Sequence, residues 1–323
     1  MEIGQIFSQG FKITNKNWPL ILIQFILGIA NMIIFFIFFI LPLIFLIFTG
    51  TLKEKIWPGD FSPFAPNFFI AFITEFLSYL LAHWQLFLLL GILLLVAMLL
   101  IILLSIFVEA GTYSTISEVF LNSLPFLLNR FFDLGKTFFW RFLGLEATLW
   151  ALVTGWFLLA VILLAPLIFL IVYLWKVAGI VVTIVISLIL GGLVLGILFI
   201  TVVILSLFIT YTKPLLPLEN LKTGEALKKG ISFLKRNFWP ALGLILLLFV
   251  VNLAIGFIFA MLRLPFSFIP LVGPIFEIPL ALVQWGVMLY LSVFSIACVT
   301  AFCYDAMSTN VYEVKNERIS QSL

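Results

Sequence analysis

Polar side chains interrupt the long apolar runs of this chain at Gln24, Asn31, Glu109, Glu146, Asn252 and Gln284, and Asp305 closes the last run. Such residues are expensive in hydrocarbon and mark proton or substrate paths, or bonds between helices. Glu146, a few residues into its run, could exchange a proton. Its simpler reading is an interfacial carboxylate that is solvated or paired with Arg141. Asn31 and Asn252 share a mid-span position, where interhelical hydrogen bonding worth about 1 kcal/mol accounts for them and a pore role is the rival. Glu, Asp, Cys and His are too scattered for a metal site, which needs several convergent ligands. His83 stands alone beside Trp84 at a span entrance. Cys298 and Cys303 match no zinc or redox spacing and read as small packing residues. No phosphate-binding Gly-rich loop, HExxH or GxSxG occurs. The expectation is a protein without catalysis and without a cofactor.

The elements that carry these residues follow from composition. The chain has 323 residues, 64% hydrophobic and 10% charged, with a mean hydropathy of +1.31. Apolar runs of about 20 residues or more are membrane spans. Their continuity, without alternation, points to helices and away from a barrel. Six spans are expected, at about 18–48, 84–108, 143–173, 193–211, 240–262 and 279–303. Residues 1–17 are polar and the run that follows exceeds a leader's apolar core, so the first span is read as retained. A straight helix over the uncharged stretch 177–211 would reach about 52 Å, well past a core of about 30 Å. A break at Gly191-Gly192 is therefore expected, with 177–190 as a re-entrant or interfacial piece. The Pro-rich segments 57–66 and 265–279 read as irregular and packed at the outer leaflet.

With six spans, Lys53, Lys55, Lys176 and Arg263 fall on one side and the other 13 of the 17 basic residues on the opposite side. The positive-inside rule then puts both termini in the cytoplasm.

The chain also repeats itself. "WPLILIQFILGIANMIIFFIF" (18–38) lies over "WPALGLILLLFVVNLAIGFIF" (239–259) with 8 of 21 positions identical, including Trp, Pro and Asn. Gly10 and Asn17 register upstream on Gly230 and Asn237. A fainter middle copy, "LGKTFFWRFLGLEATLW", places Trp140 at the Trp18 position. The expected fold is one all-α integral membrane domain, 1–323. Its six transmembrane helices form three repeat units, about 1–110, 111–218 and 219–323, each with a cytoplasmic amphipathic interfacial helix.

Each unit opens with a basic preamble. In 219–238 the apolar Leu227, Ile231, Leu234 and Phe238 recur at helical spacing, with Thr223 as N-cap and Glu225 in the first turn. The first copy stripes Ile3, Ile6, Phe7, Gly10 and Ile13. Basic helices of this kind lie among headgroups, with Trp at the interface and Pro starting the span. Trp18, Pro19, Trp140, Trp239 and Pro240 are the expected elbows. Lys12, Lys16, Lys222, Lys228, Lys229, Lys235 and Arg236 are the expected contacts to anionic headgroups, each worth about 1 kcal/mol.

"KPLLPLENLKTGEALKKGISFLKRNFWP" (213–240) resembles poorly characterised prokaryotic multi-pass families related to the membrane domain of glycerophosphodiester phosphodiesterases. The matching residues are Pro217, Glu219, Gly224, Glu225, Ala226, Leu227, Asn237 and Phe238. The resemblance implies a membrane module. In the named enzymes catalysis belongs to a separate soluble domain, and with about 20 residues after the last span no such domain is expected here. The functional expectation is a non-catalytic component of a prokaryotic cytoplasmic (inner) membrane. It engages anionic lipids on the cytoplasmic side or a membrane-protein partner, in envelope maintenance, and binds no nucleic acid. The alternative is a transporter of a small solute or lipid through a cavity between the units.

Overall fold

The computed structural model describes residues 2–48, 84–177, 179–267 and 273–321. His83 and the segment 57–66 lie outside them. The described residues form helices and no strand: α1 (Ile3–Lys16), α2 (Pro19–Phe35), a π-helical turn (Phe36–Ile40), α3 (Leu41–Phe48), α4 (Trp84–Asn122), α5 (Leu128–Val177), α6 (Gly179–Leu218), α7 (Thr223–Ser267) and α8 (Gly273–Gln321). Six of the helical stretches are long and apolar enough to cross a membrane. With no water in hydrocarbon, each backbone N–H and C=O must be satisfied within its own helix, and helices do this for any apolar sequence.

Two compact units are present. Residues 22–108 form one, and residues 1–21 with 109–323 form the other. In the smaller unit the backbone passes through a π turn in which Leu41 N–H reaches back to Phe36 O. Pro42 follows at once. It has no N–H to return to the preceding turn, and a widened turn accommodates its ring.

The larger unit is organised around α8. Of its candidate span Ile275–Ser308, the most hydrophobic stretch is 56% buried, against 17% or less in the other five. Val293, Ala297, Cys298, Ala301 and Cys303 on α8 are fully enclosed or nearly so, and α1, α6 and α7 pack against this helix. Small side chains permit the approach. A Cβ on Gly10 of α1 would overlap Cys298 Sγ, and one on Gly230 of α7 would overlap Thr212 Oγ1 of α6. Both cysteines are free thiols inside the packing.

The two outer preambles end alike. Asn17 has φ −111°, ψ 33° and donates Nδ2–H to Ile13 O at 2.8 Å. Asn237 has φ −117°, ψ 26° and donates Nδ2–H to Phe233 O at 3.1 Å. In each case the side chain takes up a carbonyl of the turn before a Pro, and the helix bends. At Trp140 there is no such bend. α5 runs without interruption from Leu128 to Val177, because Arg141 rather than Pro follows the Trp and no Asn precedes it.

Several expectations are corrected. Gly191 and Gly192 sit inside α6, which is continuous from Gly179 to Leu218, so 179–190 is no separate piece. One Gly weakens a helix by only about 0.5–1 kcal/mol. The chain turns instead at Gly179, whose φ of +78° is left-handed. Pro265 lies inside α7 and Pro279 inside α8, so most of 265–279 is helical; 268–272 is outside the described residues. The stripe that α1 buries is Ile6, Gly10 and Thr14, with Ile3 43% exposed. On α7 it is Ala226, Gly230, Phe233 and Leu234, with Ile231 48% exposed. Ile6, Gly10 and Leu234 of the expected stripes are buried, and the contact adds Thr14, Ala226, Gly230 and Phe233.

Candidate functional site

The sharpest electrostatic feature joins three helices. Lys213 Nζ on α6 donates to Glu109 Oε1 on α4 at 2.7 Å and lies 2.6 Å from Glu146 Oε1 on α5. The side chains are 15%, 28% and 13% exposed, so solvent screens them weakly. The Glu109 contact has hydrogen-bond geometry. Glu146 Oε1, at 2.6 Å, forms an ion pair with the same ammonium. Two carboxylates share one ammonium. Among the described residues no second cation pairs with either carboxylate.

This corrects the expected partner of Glu146. Arg141 turns away to the α6–α7 junction, where Nη1–H donates to Asn220 Oδ1 at 2.6 Å and to Leu221 O at 3.3 Å. The junction needs that support. Asn220 is left-handed at φ 51°, and Leu221 N–H closes back on Leu216 O at 2.9 Å. That pattern ends a helix with its last carbonyls satisfied. Thr223 does not cap α7; its hydroxyl donates to Arg141 O at 3.0 Å. Glu225 Oε2 instead accepts from Lys222 N–H at 3.0 Å, as in a capping box set one residue earlier. At the α4–α5 junction Arg130 grips Glu118 through both carboxylate oxygens.

A cavity of about 230 Å³ is bounded by α4, α6, α7 and α8. Its polar lining is Tyr113, Thr210, Asn252 and Ser295. Asn252 donates Nδ2–H to Leu248 O of its own helix at 2.8 Å, so its expected interhelical bond is replaced by a local one. The carbonyl four residues back is always within reach, whereas a partner on another helix depends on packing. Asn31 and Gln284 each keep a buried side-chain oxygen without a hydrogen bond among the described residues. Gln24 is half-buried, and Asp305 is half-buried on α8.

A second, larger groove of about 870 Å³ opens between α5, α6 and α7. Leu152, Ile204, Leu205, Phe208, Leu227, Ile231, Leu234 and Phe238 make it apolar, and Thr148, Trp156 and Thr201 add little polarity. Trp156 Nε1–H is already taken by Thr201 Oγ1 at 2.8 Å. Lys235 is the one charged residue of the lining, and it pairs with no carboxylate among the described residues. The other basic candidates differ in setting. Lys12, Lys16, Lys222, Lys228 and Arg236 are exposed, and Lys229 lies 3.2 Å from Glu219. Pro19 starts α2, and Pro240 follows the α7 kink. Trp18, Trp140 and Trp239 are 58%, 74% and 76% exposed.

Sequence reasoning counted Lys213 only as a topology charge, and it passed over Tyr113, Thr210 and Ser295. A signal for Lys213 was present. It stands directly after an uncharged run, ahead of Pro214, on a stretch that continues as helix.

The fold defines a class, a multi-pass helical membrane protein. Compared with known proteins, the chain matches no family model, no curated protein and no solved structure. Functional assignment therefore rests on its own residues.

Proposed function

We propose that this protein is a non-catalytic component of a prokaryotic cytoplasmic membrane that engages anionic lipids from the cytoplasmic side. The observation that carries this reading is the α5–α6–α7 groove, mostly apolar, with Lys235 as its one charged lining residue, which pairs with no carboxylate among the described residues. Acyl chains need such a surface, and a phosphate needs a cation at its edge. The basic segments around α1 and the start of α7 face the same leaflet in this reading. Each Lys or Arg near an anionic surface contributes about 1 kcal/mol. Exposed Trp18 and Trp239 beside the Asn–Pro bends suit the headgroup layer. The matching bends at Asn17 and Asn237 support duplication of a helix–elbow–span unit. The likeness to the membrane domain of glycerophosphodiester phosphodiesterases rests on Pro217, Glu219, Gly224, Glu225, Ala226, Leu227, Asn237 and Phe238. Partner proteins and envelope maintenance remain part of the same proposal.

The test is native mass spectrometry of the purified chain with phosphatidylglycerol or phosphatidylcholine added. Preferential retention of phosphatidylglycerol is expected, reduced roughly fivefold in Lys235→Gln. Equal retention of both lipids, unchanged by the substitution, removes the reading.

A second reading, transport of a small solute, is favoured by the cavity whose otherwise apolar lining includes Tyr113, Thr210, Asn252 and Ser295. Cysteine accessibility at positions 31, 146 and 252 on a Cys-less background separates the two. Labelling of all three from water supports a hydrated path, and silence at all three excludes it.

A further inference from the structure

We propose that Glu109 and Glu146 form a proton-binding site, in which the two carboxyl groups hold one exchangeable proton between them beside Lys213. The argument uses no residue of the lipid groove, so it stands or falls apart from that reading.

The first observation is proximity. Glu109 Oε1 and Glu146 Oε1 lie 2.7 Å and 2.6 Å from the same nitrogen, Lys213 Nζ. The two carboxyl groups are also within hydrogen-bond reach of each other. Two carboxylates cannot bond in this way, because both are acceptors only. A carboxylic acid and a carboxylate can, through a single O–H. With one ammonium and one shared proton the group is electrically balanced, and like charges no longer face each other in a weakly screened place. Uptake adds the proton to a carboxylate oxygen and release restores the carboxylate; no other bond changes. The proton belongs to the pair rather than to either residue.

The second observation is where the group stands. On each of the three helices its member is the first charge at the end of an uncharged stretch. Residues 84–108 precede Glu109, 147–175 follow Glu146 and 177–212 precede Lys213. Three apolar stretches therefore end at one level, the edge at which hydrocarbon gives way to water. Tyr113 and Phe142, each four residues along the helix from one of the glutamates, stack at 5.8 Å and cover one side. Glu109 keeps 28% of its side chain exposed, against 13% for Glu146, so it is the member through which water exchanges the proton. An intramembrane carboxyl at such an edge is placed to load and release protons.

The charged groups acting on Glu109 are Lys213 and Glu146. Arg141, nearest to Glu146 in sequence, is held at Asn220. Tyr113 of α4 feels both glutamates and Cys303 of α8. Phenols and thiols ordinarily stay neutral below about pH 8, so the exchanging proton near neutrality is that of the carboxyl pair.

The experiment is infrared spectroscopy of the full-length protein in nonionic detergent at neutral pH. A protonated carboxyl has a C=O stretch above the amide band, and carboxylates do not. The wild type is expected to show this band and to move it down in heavy water. Glu109→Gln and Glu146→Gln each leave one carboxylate for one ammonium, so each is expected to lose the band entirely. No band in the wild type overturns the proposal, and so does a band that either variant retains or that heavy water does not move. If a variant fails to fold, wild-type protein labelled with carbon-13 at the glutamate side-chain carboxyl decides. The band is expected to shift with the label, and an unshifted band belongs to another group and overturns the site.

Discussion

Lys213 Nζ lies 2.6 Å from Glu146 Oε1, and this contact ties α6 to α5 at the same point where Lys213 ties α6 to Glu109 on α4. A single ammonium thus sets the mutual position of three helices. Removing one member strands the others in a weakly screened place, and the loss exceeds the net worth of the pair.

Lys213→Met is expected to destabilise the purified protein by about 3–5 kcal/mol, the range for breaking a buried ion pair. The measurement is denaturant unfolding in mixed micelles. The triple variant Lys213→Met, Glu109→Gln, Glu146→Gln is expected to recover most of that loss, because no unpaired charge remains. A single variant as stable as the wild type would show that water reaches the triad freely.

Gly230 and Gly224 sit six residues apart on α7 and face different surroundings. A Cβ at Gly230 runs into Thr212 Oγ1, whereas nothing lies within 4 Å of one at Gly224. Gly230→Ala is expected to cost about 1–3 kcal/mol through overpacking. Gly224→Ala is expected to be neutral or to stabilise by about 0.4–1 kcal/mol through the unfolded chain. Thermal midpoints of the two variants, compared with wild type, check the sign of each effect.

Pro240 follows the non-helical Asn237 and has no N–H to give to Arg236 O. Pro240→Ala is expected to restore that bond and straighten α7. Spin labels at 228 and 250, measured by double electron–electron resonance, would then move apart by several ångströms. An unchanged distance would place the cause of the bend in the packing around Tyr211, whose hydroxyl donates to Ala241 O at 2.8 Å.

Much of this molecule follows from its sequence because the responsible interactions are local. The helical character and the six long apolar stretches follow from composition, since hydrocarbon leaves the backbone no other solution. The elbows at Asn17 and Asn237 were legible as Asn and Pro in a repeated phrase, and each uses a carbonyl four residues back. Distant partners decided the rest. Lys213 reads as one more basic residue until α4 and α5 bring Glu109 and Glu146 to it. Arg141, closer in sequence to Glu146, goes to Asn220 instead. The expected break at Gly191-Gly192 failed because helix propensity there is a small term, while Gly179 supplies the left-handed φ that a reversal needs. The buried stripes of α1 and α7 add Gly10 and Gly230 to Ile6, Phe233 and Leu234, since close approach between helices is a property of two surfaces at once. The amino-acid sequence by itself determined which stretches are long and apolar enough to cross a membrane and where the two Asn–Pro elbows fall. Only the tertiary structure decided which charges meet, which oxygens line the cavity at Tyr113 and which face of Lys235 borders a groove, because each depends on residues from three or four helices.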